Sequence, residues 1–368
     1  MKKTIVLSAI LLATGLIYSC KKNISDKNSG NTVYLDLPAQ PYAYYDSLMS
    51  GNSNGLNKTA TLGRVLFYDN HLSINNSISC ASCHKQQLAF ADNVALSRGF
   101  ENRLTSRNSM GIQNLGFSSA KLQNGVAGRL PLFWDGRENS TANLIARPIT
   151  NHVEMGISDL DKLVEKLSSL PYYKDLFLAA YGSETITVEG ISEAVSTFMC
   201  SIKSTESRFD KGNQGANGLN ATEMKGLALF NNVYNCNNCH QPQNIGYMGR
   251  SMFNIGLEYP AKDKGAGAVS GNPAEVGSFK IPNLRNVALT APYMHDGRFA
   301  TLEDVLDYYS HGIPNDPNLD ENLRDKNGAP LRMNITADDK KAIIAFLNTL
   351  TDYSMTTDPK FSNPFKTK

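Results

Sequence analysis

The sequence holds one tryptophan in 368 residues, no disulfide framework and no surplus of charge of either sign. Lys2 and Lys3 belong to an export leader; without them 34 basic residues face 34 acidic ones. A balanced chain argues against nucleic acid or an anionic membrane surface as the partner. A long membrane-spanning run is also missing. The apolar stretch from Ile5 to Ile17 is too short and too close to the end, and reads as a signal segment. No A-x-A cleavage site closes it. Ile17-Tyr18-Ser19-Cys20 instead resembles a lipoprotein box, with Cys20 as the lipidated new N-terminus. Period-two alternation is absent over any set of segments, so the expected class is mainly α with little sheet.

Six cysteines are present, and four of them are spent in two copies of one motif. These are Cys80-Ala81-Ser82-Cys83-His84 and Cys236-Asn237-Asn238-Cys239-His240. C-x-x-C-H is the attachment signature of a c-type haem. Two intervening residues put both thiols on one turn beside the porphyrin edge, and the following His reaches the iron. A single copy also suits a zinc half-site or a redox dithiol. Two copies behind an export signal, with no further Cys pair to complete a zinc site, favour two covalent haems. Cys200 lies in an apolar helical stretch and reads as a buried, inert thiol.

The polar, Gly/Ser/Asn-rich stretch after Cys20 reads as a tether over 20–50. Thr61 to Tyr68 reads as a short helix. Lys85 to Gly128 lacks periodicity and reads as a long irregular segment, of the kind that wraps a ligand. Ser158 with Asp161 predicts a capped helix that Pro171 stops. Thr187 to Ile202 carries an apolar stripe of Ile191, Val195, Phe198, Met199 and Ile202. Gly and Asn over Lys211 to Asn220 mark a domain boundary. Asn220 with Glu223 caps the helix that runs into Cys236, Tyr259 to Gly277 reads as a loop, and Thr336 with Asp339 caps a closing helix. The expected organisation is a leader over 1–19, haem domains over 51–212 and 213–355, and a tail over 356–368. The fold expected is two cytochrome c-like haem domains packed together, with long irregular loops.

Several ordered blocks carry a resemblance. They are Ser79 to His84, Arg107-Asn108-Ser109, Phe133-Trp134-Asp135-Gly136-Arg137, Val153-Glu154-Met155-Gly156, Cys236 to His240, and Leu284 to Gly297. In these the chain resembles the bacterial di-haem cytochrome c peroxidase family, which includes the maturation enzyme of methylamine dehydrogenase. The resemblance runs from about Thr61 to Asp352. It implies a peroxidatic haem on Cys80, Cys83 and His84, with an open distal face. Glu154 matches the family's distal carboxylate, which moves protons while peroxide is split. Trp134 matches the tryptophan between the haems. The second haem, on Cys236, Cys239 and His240, would accept single electrons. Asn108 matches a calcium ligand, joined by the carbonyls of Thr290 and Pro292. Taken alone, Glu154 reads as a solvated loop carboxylate and Trp134 as a core side chain.

Three departures from the family pattern matter. Where many members carry a distal His, this chain has Phe100, and no His follows before His152. The first iron is therefore expected to be five-coordinate or water-bound and to need no reductive activation. His71 reads as a surface residue; Met110 and Met155 read as packing. Where the usual peroxidase has a Met as sixth ligand of the second haem, this chain has Tyr309, as in the maturation enzyme. Met294 and His311 are rivals, and His295 reads as structural or as a propionate contact. A distal Gln often found after the Trp is replaced within Asn143-Leu144-Ile145.

The activity implied is reduction of hydrogen peroxide to water, with electrons from a small cytochrome c or cupredoxin, in the periplasm or cell envelope. Members are often dimers, so a homodimer is an expectation. Two rival readings stand beside it: a peroxide-dependent oxidase that modifies a partner protein's side chains, and an electron-transfer cytochrome with both irons six-coordinate.

Overall fold

The computed structural model describes residues 22–25, 32–37, 53–115, 131–212, 217–241 and 252–366. The leader and Cys20 lie outside the described residues, as does most of the tether. Sheet is confined to short pieces. Strands β1 (Lys22–Ser25), β2 (Thr32–Leu35) and β5 (Phe365–Lys366) form one antiparallel sheet, and β3 (Met252–Phe253) pairs with β4 (Phe279–Lys280). The rest is helix and loop, as the lack of alternation predicts.

Two helix crossings organise the chain, and they are built alike. Helix α1 (Ser53–Tyr68) crosses α5 (Val188–Ser201). Helix α6 (Ala221–Ala228) crosses α8 (Ala337–Asn348). At the first crossing a Cβ on Gly63 would lie 1.8 Å from the Ala194 carbonyl oxygen and 2.9 Å from Cβ of Phe198. At the second, a Cβ on Gly226 would lie 1.9 Å from the Ala342 carbonyl oxygen and 2.9 Å from Cβ of Phe346. Each contact pairs Gly-x-x-x-Phe on one helix with Ala-x-x-x-Phe on the other: Gly63 and Phe67 with Ala194 and Phe198, Gly226 and Phe230 with Ala342 and Phe346. The missing Cβ lets the backbones touch, and the phenylalanines fill the space beside the contact. Gly226→Ala is expected to push α6 off α8 and cost about 3 kcal/mol. Urea unfolding of the haem-loaded protein checks this; an unchanged midpoint would refute the close packing.

Each crossing anchors its own core. Leu62, Val65, Leu66 and Phe67 of α1 are fully buried with Phe198 in the first. Phe230, Ile343, Phe346 and Leu350 form the second. Helices α2 (Thr141–Thr150), α3 (Leu160–Ser168) and α4 (Pro171–Tyr181) complete the first unit. The chain end returns to it. Phe361 is buried there, and the buried Arg64 guanidinium donates to the carbonyls of Ser362 (2.6 Å) and Asp36 (3.1 Å).

Some local expectations need correction. Helix α1 starts at Ser53 rather than Thr61, in a stretch without apolar periodicity whose Thr59 and Ala60 are buried. Helix α3 is capped by Asp159, not Ser158: the Asp159 carboxylate accepts from the amides of Asp161 and Lys162. Pro171 does more than stop α3, since it opens α4 at a position where its lost N–H has no cost. The loop over 259–277 contains a one-turn helix, Ala266–Ser270. Cys200 is half-buried at the rim of the first core rather than inside it. The caps at Asn220 and Thr336 are those the sequence predicts, and Thr187 also caps its helix.

Candidate haem and peroxide site

Both C-x-x-C-H motifs fold into a tight turn with the His amide bonded to the first Cys carbonyl, at 2.9 Å for His84 and 2.8 Å for His240. The two imidazoles are then oriented in the same way. Nδ1 of His84 lies 2.9 Å from the Phe90 carbonyl oxygen, and Nδ1 of His240 lies 3.2 Å from that of Pro282. A carbonyl only accepts, so Nδ1 carries the proton in both rings and Nε2 keeps its lone pair. The Phe90 carbonyl is brought under His84 by a turn with Ala89 and Phe90 at φ 52° and 58°. Burial lowers the pKa of both rings, that of His240 to about 4, so both stay neutral, the form that binds a metal. Burial pushes Cys80 and Cys236 up to about 12 and Cys83 to about 11. These donor sets fit covalent haem: two adjacent thiols and a preset neutral imidazole, twice.

Beside the second motif lies a cavity of about 340 Å³, lined largely by apolar side chains and by Cys236, Cys239 and His240. Tyr309 and Met294 line the same cavity. Tyr309 sits in a π-turn, Tyr308–Gly312, that continues helix α7 (Leu302–Asp307). Such widened turns recur at functional sites. Burial raises the Tyr309 pKa, and the Cys236 and Cys239 thiols add to the effect, which puts the phenol at the motif. His311 is exposed and does not line the cavity, so the sixth-ligand rivals narrow to Tyr309 and Met294. His295 also lines it, stacked on Phe279 with ring centroids 3.8 Å apart.

Trp134 reaches this cavity from the first unit. Its Nε1 donates to the Asn108 carbonyl (2.9 Å), and its own carbonyl accepts from the Lys280 amide (2.8 Å). The Trp134 and His295 rings stand edge to face, with centroids 6.5 Å apart. They occupy equivalent places in two like turns. Leu132 N donates to Glu138 O around Asp135-Gly136-Arg137, and Tyr293 N donates to Phe299 O around Asp296-Gly297-Arg298, both at 2.8 Å. In each turn the residue before the aromatic, Phe133 or Met294, has a positive φ (60° or 75°). The repeated D-G-R was the signal for this second duplication, and the sequence reading missed it.

Glu154 faces the first motif. It is half-buried, its Oε1 accepts from the Asn151 amide (2.9 Å), and its charge acts on both Cys80 and Cys83. Burial raises its pKa against the opposing pull of Arg137 and Asn151. Arg137 also pairs with Asp135, the neighbour of Trp134, at 2.9 Å. Phe100 clamps the carboxylate's loop: its amide donates to the Glu154 carbonyl (2.9 Å), and a Cβ on Gly156 would lie 2.6 Å from its ring. Met155 is buried in the first core, and His71 is half-exposed and bonded to Asp69. Asn143 is exposed on α2, while Met110 lines the second cavity. A further link went unread in the sequence. Arg107 forks onto Asp263 at 2.7 and 2.9 Å and reaches Asp135 at 2.5 Å, tying the two units together.

Asn108, Thr290 and Pro292 line the second cavity together. The Asn108 amide nitrogen donates to the carbonyls of Val94 (3.1 Å) and Ala95 (3.2 Å), which turns Oδ1 the other way, as a cation would require. Among the described residues no three His, Cys, Asp or Glu are grouped to hold a metal ion, so a calcium ion here would rest on neutral oxygens and water.

A family model described as di-haem cytochrome c peroxidase matches residues 57–218. The methylamine utilization protein MauG of Methylorubrum extorquens is 34% identical over 297 residues, which is 78% of this chain and 77% of that protein. The chain belongs to the di-haem cytochrome c peroxidase family. Membership in it implies two haem c groups and an oxidoreductase acting on peroxide. The cytochrome c551 peroxidase of Nitrosomonas europaea is 29% identical over 95% of this chain and 92% of its own. A solved structure of a MauG-like protein associated with microbial copper homeostasis superposes with a TM-score of 0.72 at 33% identity, covering 89% of this chain and 98% of that one.

Proposed function

We propose that this chain is a peroxidase that reduces hydrogen peroxide to water at the first haem site and draws its electrons, one at a time, through the second. The observation that carries this reading is Glu154, a half-buried carboxylate bonded to Asn151 at 2.9 Å and set against the Cys80–Cys83–His84 motif, with its pKa raised by desolvation. A haem there supplies an iron that binds peroxide and takes up its oxidising power. His84 would hold that iron through Nε2, with Nδ1 kept protonated by the Phe90 carbonyl. Glu154 would take the proton from the inner peroxide oxygen and return it to the outer one, which then leaves as water. Phe100, in place of a distal His, would offer no nitrogen ligand to an iron held there. His240 would hold the second iron, with Tyr309 as its sixth ligand and Met294 as the alternative. An oxygen ligand would give this haem a lower potential than a Met would. Trp134, which lines the cavity beside the second motif, would pass electrons, and Asn108, Thr290 and Pro292 would bind calcium. The protein would act on the outer side of a bacterial membrane, held by a lipid at Cys20.

The MauG relatives and the Tyr309 position favour a second reading, in which the same peroxide chemistry oxidises a partner protein's side chain.

Steady-state peroxide reduction with a reduced small c-type cytochrome as donor tests the main reading. Turnover is expected, and it should change little between low and high salt. The stretch Gly226 to Cys239, leading into the second haem motif, carries no charge, and its flank exposes Met224 (49%) and Val233 (58%). Apolar docking is not screened by salt. A rate that falls steeply with ionic strength would contradict donor docking on this face, and no turnover with any single-electron donor would favour the second reading.

A further inference from the structure

Outside the proposed site, the first core contains a buried cluster of ionisable side chains that the peroxide chemistry does not use. Asp69 is 3% exposed, and four groups donate to its carboxylate. Tyr172 and Tyr173 donate to Oδ2 at 2.7 and 2.6 Å. His71 donates to Oδ1 through Nδ1 at 2.6 Å and through its amide at 2.8 Å. The two phenols are fully buried and their rings lie in contact, tilted at 47° with centroids 4.7 Å apart. The His71 ring lies at the other end of the cluster, 36% exposed. The chain of contacts therefore runs from the core to water. On the inner side Tyr173 packs in the same core as Cys80, and that thiol acts on its phenol electrostatically.

We infer that Tyr173, in ring contact with Tyr172 and bonded to Asp69, is a redox-active tyrosine that gives an electron to the first haem site when no donor protein is bound. This rests on the peroxidase reading above, because hydrogen peroxide supplies the oxidant. One electron leaves the Tyr173 ring for the oxidising equivalent that peroxide has left at the first site. The phenol O–H bond breaks, and its proton crosses the 2.6 Å hydrogen bond to Oδ2 of Asp69. A neutral phenoxyl radical and a neutral carboxyl result. One electron from a later donor, with the same proton returning, restores the pair.

The environment suits that exchange. Burial works against ionisation of Asp69, but the hydrogen bond and charge of His71 prevail and hold its carboxyl below the ordinary range. It is thus proton-free and able to accept. Burial, with Asp69 beside it, raises the Tyr173 phenol well above its usual value, so the phenol loses its proton only together with an electron. A hydrogen-bond chain in a low-dielectric core lets the charge shift within the cluster rather than leave it unpaired. Tyr172 donates to the same oxygen and touches the Tyr173 ring, so it tunes the radical's surroundings. Such a store would spare the haem and Trp134 when peroxide arrives before a donor.

The test is freeze-quench EPR of the haem-loaded, full-length protein after one equivalent of hydrogen peroxide, without donor. Protein made with ring-deuterated tyrosine is compared with unlabelled protein. The expected result is an organic-radical signal whose hyperfine structure collapses on tyrosine deuteration, is lost in Tyr173→Phe and persists with altered line shape in Tyr172→Phe. Deuteration tests the assignment in the unmutated protein, so a poorly folded variant does not decide it. A radical insensitive to tyrosine deuteration, or a tyrosine signal unchanged in Tyr173→Phe, overturns the inference. A haem spectrum that responds to peroxide with no tyrosine signal overturns it and leaves the peroxidase reading standing. A haem spectrum that does not respond overturns both.

Discussion

Glu154→Gln lowers peroxide turnover by about two to four orders of magnitude while both haems stay attached. The size follows from the chemistry. Splitting peroxide needs one group that first takes a proton and then gives it back, and a glutamine can do neither. Its shape and its hydrogen bond to Asn151 are close to those of the native side chain, so folding and haem attachment should survive. The pH profile supplies an independent readout. The carboxylate is the form that accepts the first proton, and burial raises its pKa. The acid limb of kcat/KM for peroxide should therefore lie above the ordinary glutamate range and vanish in the variant. Stopped-flow mixing with peroxide over a pH series measures both. Unchanged turnover in Glu154→Gln would remove this residue from the mechanism.

His84→Gly should abolish the reaction with peroxide and leave the second haem's spectrum as it was. The two imidazoles belong to separate units, each fixed by its own carbonyl, Phe90 or Pro282, so the loss of one should not reach the other. Cys80 and Cys83 would still hold the porphyrin, but its iron would lose the imidazole preset for it. Pyridine haemochrome absorbance gives the haem count, and difference spectra after peroxide give the reactivity. If peroxide reactivity survived, the roles of the two haems would be reversed.

The two attachment motifs, the helix caps at Asn220 and Thr336, and the near-absence of sheet among the described residues were legible in the sequence, because each rests on residues close together in the chain. The first two turns of α1 were not. Ser53 to Ala60 is polar and aperiodic, and of it Thr59 and Ala60 are buried. The site's ionic frame was also hidden. Arg107 finds Asp135 28 positions on and Asp263 156 positions on, and no local pattern announces such pairs. Glu154 had the composition of a surface loop residue. Only the resemblance pointed to it, and its burial and its action on Cys80 and Cys83 now give a physical reason for its place. The duplication was half visible. The repeated C-x-x-C-H stood out, whereas the glycine crossings at Gly63 and Gly226 and the paired D-G-R turns needed coordinates to be recognised as equivalent.

The central claim is an open iron at His84 beside a closed one at His240. The ferric EPR spectrum of the isolated protein, before and after one equivalent of hydrogen peroxide, tests it most directly. The expected spectrum has a high-spin signal beside a low-spin one, and peroxide removes the high-spin signal. Two low-spin signals indifferent to peroxide would contradict the account.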